Sequence, residues 1–221
     1  MQRVYIYSGF ERFWHWTQAI LIFFLMFTGF EVHGSFKFFG FENAVMFHIY
    51  AAYSFMALMV FAMFWHFTTG EWKQYIPTVH KIKCYIRFYL TGIFENAPHP
   101  TKRTILSKLN PLQRVVYFSL KVVMIPLLVI TGILYLYYRF PIEGGVASVD
   151  AVNLSVIATL HTFGAYLLIS FTIGHLYLVT TGHTIFSNIN SMLSGYEELE
   201  MDNEHIRADI LQKYKCPEED K

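Results

Sequence analysis

The sequence predicts an all-α integral membrane protein, a bundle of four spanning helices. Three observations carry this. Apolar residues make up 54% of the chain and aromatic residues 19%. Asp, Glu, Lys and Arg together reach only 15%, against about 25% in soluble domains. The apolar residues gather in four runs, each near the roughly 20 residues that a helix needs to cross a bilayer.

The clearest run is Leu154 to Val179, which has no Asp, Glu, Lys or Arg across its 26 residues. It carries His161 and His175, 14 positions apart. At about 100° per residue, 14 steps come within about 40° of a whole number of turns, so both imidazoles share one stripe. Along the axis they are about 21 Å apart, at about 1.5 Å per residue. One histidine therefore sits near each membrane face. Ionisable side chains within a span are costly and normally face the bundle interior for a purpose. Two stacked haems, each taking one axial ligand from this helix, are such a purpose.

The other spans fall at about 13–32, 44–67 and 112–138, with 154–179 as the fourth. Together they form a unit over residues 1–195, followed by a charged tail over 196–221. Trp14 and Trp16 suit the membrane interface, where amphipathic rings anchor a helix. The first run is too long for a cleavable leader and reads as an uncleaved first helix. Between spans two and three lie Lys73, Lys81, Lys83, Arg87, Lys102, Arg103 and Lys108, while the two short links offer only Lys37 and Arg139. Positive residues stay in the cytoplasm. Both termini and the long segment are thus expected there, in a bacterial or archaeal inner membrane. Basic and apolar residues alternate over Tyr75 to Leu90, which suits an amphipathic helix on the inner surface. The tail from Tyr196 is expected to be polar and frayed, with a short helix.

A weak internal repeat is present. Phe47-His48-Ile49-Tyr50-Ala51-Ala52-Tyr53 echoes Leu160-His161-Thr162-Phe163-Gly164-Ala165-Tyr166, and Thr28-Gly29 echoes Thr131-Gly132. Glu11-Arg12 aligns with Gln113-Arg114, which sets His15 against Tyr117. The chain reads as two related helical hairpins.

Depth assigns the histidines. Helices one and three leave the cytoplasm; helices two and four return. His48 and His161 lie toward the outer face, His15 and His175 toward the inner face. Neutral imidazole is the commonest strong donor to a low-spin haem iron. Two b haems are expected, one per pair. There is no CxxCH, so the haems are held by coordination and packing alone. His66 competes with His15 for the inner position. His33, His80, His99, His183 and His205 fall at ends or in loops. Gly29, Gly132, Gly164 and Gly174 lie within spans, where a missing side chain admits either a flat macrocycle or a neighbouring helix.

Other classes are excluded or left without support. A net charge of +1 gives no basic field for nucleic acid. Cys84 and Cys216 show no metal or redox spacing. No dehydrogenase, iron–sulfur or nucleotide-loop motif is present. Two alternatives remain: a haem-free proton relay or transporter subunit working through its histidines, and a b cytochrome acting alone.

The residues Glu11-Arg12-x-x-His15-Trp16, Thr28-Gly29, the histidine on helix two and the pair on helix four resemble the four-helix di-haem cytochrome b family. That family comprises the membrane subunits of formate dehydrogenases, thiosulfate reductases and nickel–iron hydrogenases. Gly182-His183-Thr184 through Met192-Leu193-Ser194-Gly195-Tyr196-Glu197 resembles its stretch after helix four, so the resemblance covers nearly the whole chain. It implies an inner haem held from helices one and four and an outer haem from helices two and four. It implies menaquinone, or another quinone, beside the inner haem. Asn110, just before helix three, stands where the family has a quinone-binding asparagine, although Pro111 replaces a small flexible run. Gln113 and Glu11 or Arg12 are further candidates at the quinone. Arg12 and Arg114 alternatively pair with haem propionates or lipid phosphate. The resemblance also implies a periplasmic iron–sulfur or multihaem cytochrome partner in a larger hetero-oligomer. The outer link Phe36 to Phe41 is a candidate contact for it, or a membrane-interface anchor.

Overall fold

The chain folds as two long helical hairpins side by side. The computed structural model describes residues 2–77, 82–92, 108–109, 111–139, 151–182 and 184–199. Four helices are long and apolar enough to cross a membrane, Gly9–Val32, Phe41–Thr69, Pro111–Tyr138 and Asn153–Val179. The protein is an all-α, multi-pass membrane bundle. The large apolar side chains on the outside of the bundle, such as Phe61, Phe64 and Ile173, are a lipid-facing surface.

Strand β1, Gln2–Tyr5, precedes α1, Gly9–Val32. Ser8 and Glu11 form a capping box at the start of α1, each satisfying the other's free backbone donor. Helix α2, Phe41–Thr69, returns and ends at Gly70, whose φ of +78° only glycine adopts at low cost. A 3-10 turn, Glu71–Tyr75, and the short helix α3, Ile82–Arg87, follow. Helix α3 runs into a π turn, Phe88–Gly92. The third span is α4, Pro111–Ser119, a π turn, Leu120–Met124, and α5, Ile125–Arg139. The π turn has a cause. Pro126 has no N–H and its ring excludes a normal turn behind it, and the N–H of Ile125 reaches back to Leu120 O. Helix α6, Ala151–Val179, is the fourth span; α7, Ser187–Ser194, and β2, Tyr196–Leu199, end the described chain.

The first two spans start earlier than the hydropathy suggests: at Gly9 the polar first turn carries its own cap, and ahead of Phe41 the Glu31 carboxylate accepts from the N–H groups of Phe38, Phe39 and Gly40. Two other expectations are corrected. Tyr196 does not open a loose end, and the short helix and frayed end expected further along the tail fall on residues outside those described. Residues 196–199 pair antiparallel with β1, Tyr5 opposite Tyr196. Gly195 makes this possible: at φ +86° its carbonyl accepts from the N–H groups of Ile6 and Tyr7. A Cβ there would meet the Tyr5 ring at 2.7 Å. Tyr75 does not belong to a surface helix either; it turns inward from the 3-10 turn. Residues 78–81, Lys102, Arg103, His80, His99, His183, His205, Cys216 and the tail from residue 200 lie outside the described residues.

Close backbone packing lies within each hairpin, α1 on α2 and α5 on α6. Between hairpins it concentrates at the end that holds both termini, where the 3-10 turn and α3 meet α4. Arg12 Nη1 and Trp16 Nε1 tie α1 to α7 there, donating to Leu193 O at 2.6 Å and Met192 O at 3.2 Å.

Candidate cofactor site between the hairpins

Four imidazoles meet across the two hairpins, in two pairs. His48 of α2 faces His161 of α6 with ring centres 6.3 Å apart and planes at 71°. His15 of α1 faces His175 of α6 with centres again 6.3 Å apart and planes at 58°. The first pair lies toward the short links, the second toward the termini.

The surroundings of the first pair repeat. Thr28 Oγ1 gives its proton to Phe24 O at 2.9 Å and stands 2.9 Å from His48 Nδ1. Its lone pair therefore accepts from Nδ1–H, and the Nε2 lone pair is left free. Thr131 does the same, to Leu127 O at 2.6 Å and His161 Nδ1 at 2.8 Å. Both threonines are buried, at 0% and 3% exposure. A Cβ on Gly29 would lie 3.4 Å from His48 Cε1, and one on Gly132 would lie 3.4 Å from His161 Cε1. Each Thr-Gly pair thus cradles one ring. Gly164 serves the other expectation, helix packing, with Leu128 3.1 Å from its Cβ position.

The inner pair is held differently. Tyr117 Oη lies 3.3 Å from His175 Nδ1. His15 Nδ1 is buried with no partner among the described residues. Tyr117 occupies the repeat position of His15, so the second hairpin supplies a phenol where the first supplies an imidazole.

His66 is not brought to either pair. Its Nδ1–H donates to Ala62 O at 2.6 Å, and its Nε2 accepts from Tyr75 Oη at 3.3 Å. Neither nitrogen has a lone pair to spare. Arg12 is turned to α7, and Arg114 Nε donates to Leu109 O at 3.2 Å. Asn110 lies outside the described residues.

Two imidazoles on one metal need a bond of about 2 Å each and about 1.15 Å more to each ring centre, hence centres about 6.3 Å apart. Both pairs have that spacing. The donor set, four imidazoles of which His48, His161 and His175 are oriented from behind by a hydroxyl, suits haem iron.

Residues 6–195 match the family of prokaryotic cytochrome b561. The chain belongs to that family. It is also 31% identical over 203 residues to YdhU of Escherichia coli (strain K12), a protein provisionally named as a cytochrome, covering 88% of this chain and 75% of that one. This cytochrome is a membrane electron carrier of the b type, with haem b as its cofactor.

Two features of the cytochrome were not singled out in the sequence. One is Lys121, inside the third span. Its Nζ lies 3.3 Å from the Tyr75 ring centre and 5.7 Å from that of Trp14. A lysine within a span costs about 2.5–3.5 kcal/mol on insertion, and a desolvated cation–π contact returns about 2 kcal/mol. A lone lysine in an apolar run was the available signal. The other is a cleft of about 210 Å³ beside His175, lined by Leu112, Gln113, Tyr117, Phe171 and Gly174 among others.

Proposed function

We propose that this cytochrome is the membrane-anchoring di-haem subunit of a larger complex. It passes electrons between a menaquinone/quinol pool and a redox partner outside the membrane. The observation that carries the reading is the pair of imidazole pairs, both at 6.3 Å and at two depths. His15 and His175 would hold an inner haem b, and His48 and His161 an outer one. Each haem would supply a one-electron Fe(III)/Fe(II) couple.

The protein's own side chains do the rest. Thr28 and Thr131 fix the tautomer and tilt of the outer imidazoles. Gly29 and Gly132 let those rings lie against α1 and α5. Tyr117 orients His175. The cleft beside His175 supports a quinone site: it is apolar, with Gln113 and Tyr117 as polar groups. Asn110 precedes the lining residue Leu112 by two positions in the sequence. Arg12 and Arg114 remain candidates for haem propionates or lipid phosphate. The Lys and Arg bias supports termini on the cytoplasmic side of an inner membrane. The partner would be a periplasmic iron–sulfur or multihaem cytochrome subunit, docking near the link Phe36 to Phe41.

The decisive experiment is a cofactor count. The purified protein, reduced with dithionite, is expected to give two b haems per chain by pyridine haemochrome. A chain with no haem, as a transporter subunit would be, ends the reading. Purification from native membranes without any partner subunit would favour a carrier acting alone.

A further inference from the structure

A polar cluster at the termini end takes no part in the imidazole pairs. Glu11, Trp14 and Gln18 of α1 share one face at helical spacing. Lys108 Nζ lies 2.8 Å from Glu11 Oε1 and 3.4 Å from Glu71 Oε2. These three charged side chains are mostly withdrawn from water, at 13% exposure for Glu11, 14% for Lys108 and 29% for Glu71. Behind them Tyr75 Oη donates to His66 Nε2. Burial first, then the Glu11 carboxylate, pushes the Tyr75 phenol far above its usual range, so it keeps its proton. Lys121 lies beyond, over the Tyr75 ring, with no carboxylate partner among the described residues. Trp14 Nε1 and Gln18 Oε1 are buried without a partner among the described residues, and such atoms normally hold ordered water. Tyr117, one turn before Lys121, lines the cleft beside His175.

We propose that this cluster is the proton route between cytoplasmic water and the quinone cleft. Glu11, Lys108 and Glu71 form its mouth, Tyr75, oriented by His66, and water on Trp14 and Gln18 its middle, and Lys121 its inner end. The inference rests on the quinone reading above. Oxidation of one quinol breaks two O–H bonds and releases two electrons and two protons. The electrons would pass to the haem irons that His15, His175, His48 and His161 would hold, and both protons leave by this route. Quinone reduction runs the same balance backwards.

The test uses the purified full-length holoprotein in stopped flow. Haem reduction is followed after mixing with a short-tailed naphthoquinol and, separately, with dithionite. In K121M, Y75F and Q18L, naphthoquinol-driven reduction is expected to slow tenfold or more, with haem content, spectrum and dithionite reduction unchanged. K121R keeps the charge but does not release a proton, so it should be as slow as K121M. Haem-replete variants reduced at the wild-type rate would overturn the proposal, and so would a K121R that is fast where K121M is slow. If K121M loses haem, Y75F and Q18L decide by the same readout. A wild type reduced by dithionite but never by naphthoquinol would remove the quinone reading and this route with it.

Discussion

The hydroxyl of Thr28 stands 2.9 Å from Nδ1 of His48. It is an acceptor there, because its own proton goes to a helix carbonyl. Thr131 and His161 repeat the arrangement at 2.8 Å. Valine has nearly the same shape and no acceptor. In T28V or T131V the outer imidazole should lose its orientation, and haem affinity at that level should fall about 10–100-fold. Haem transfer to apomyoglobin would measure this. The expected result is faster loss of one haem, with the other unchanged.

Gly29 and Gly132 can be tested by size. A Cβ at either position meets the neighbouring His Cε1 at 3.4 Å, which is close but tolerable contact. G29A should keep both haems. G29L adds branches that the His48 ring cannot avoid, so the outer haem should be lost and the inner one kept. One haem per chain by pyridine haemochrome is the expected reading.

His15 and His66 make opposite predictions. His15 faces His175, whereas both nitrogens of His66 are engaged. H15A should reduce the count from two haems to one. H66N should leave two. The reverse outcome would exchange their roles.

Glu31 holds the outer link. Its Oε1 accepts from the N–H groups of Phe38, Phe39 and Gly40 at 2.7, 2.7 and 2.8 Å, and the residue is 4% exposed. Losing a buried acceptor costs about 1–3 kcal/mol, so E31A should destabilise the protein by about 2–4 kcal/mol, the higher end because three donors are orphaned. The checks are a lower melting temperature in detergent and faster proteolysis within Phe36–Phe39. Haem content should change less than in G29L.

Composition and run length were enough for the four spans, because a bilayer admits few alternatives to a long apolar helix. The matched depths of His48 with His161 and His15 with His175 were legible for a related reason. A helix has a fixed rise and turn, so sequence spacing converts directly into position along and around it. The Thr-Gly repeat was visible too, but only as an echo. Its work, one ring cradled per pair, depends on contact between α1 and α2 and between α5 and α6.

The sequence by itself determined the number of spans, the stripe on α6 and the small set of histidines from which the pairs are drawn. Tertiary structure decided what no single helix encodes. It engaged both nitrogens of His66 through a Tyr75 that turns back into the bundle. It rotated Lys121 inward through the π turn ahead of Pro126, and it joined Tyr5 to Tyr196 across nearly the whole chain. Local spacing follows from helix geometry, whereas these contacts depend on where separate segments meet, which only the packing of the two hairpins sets.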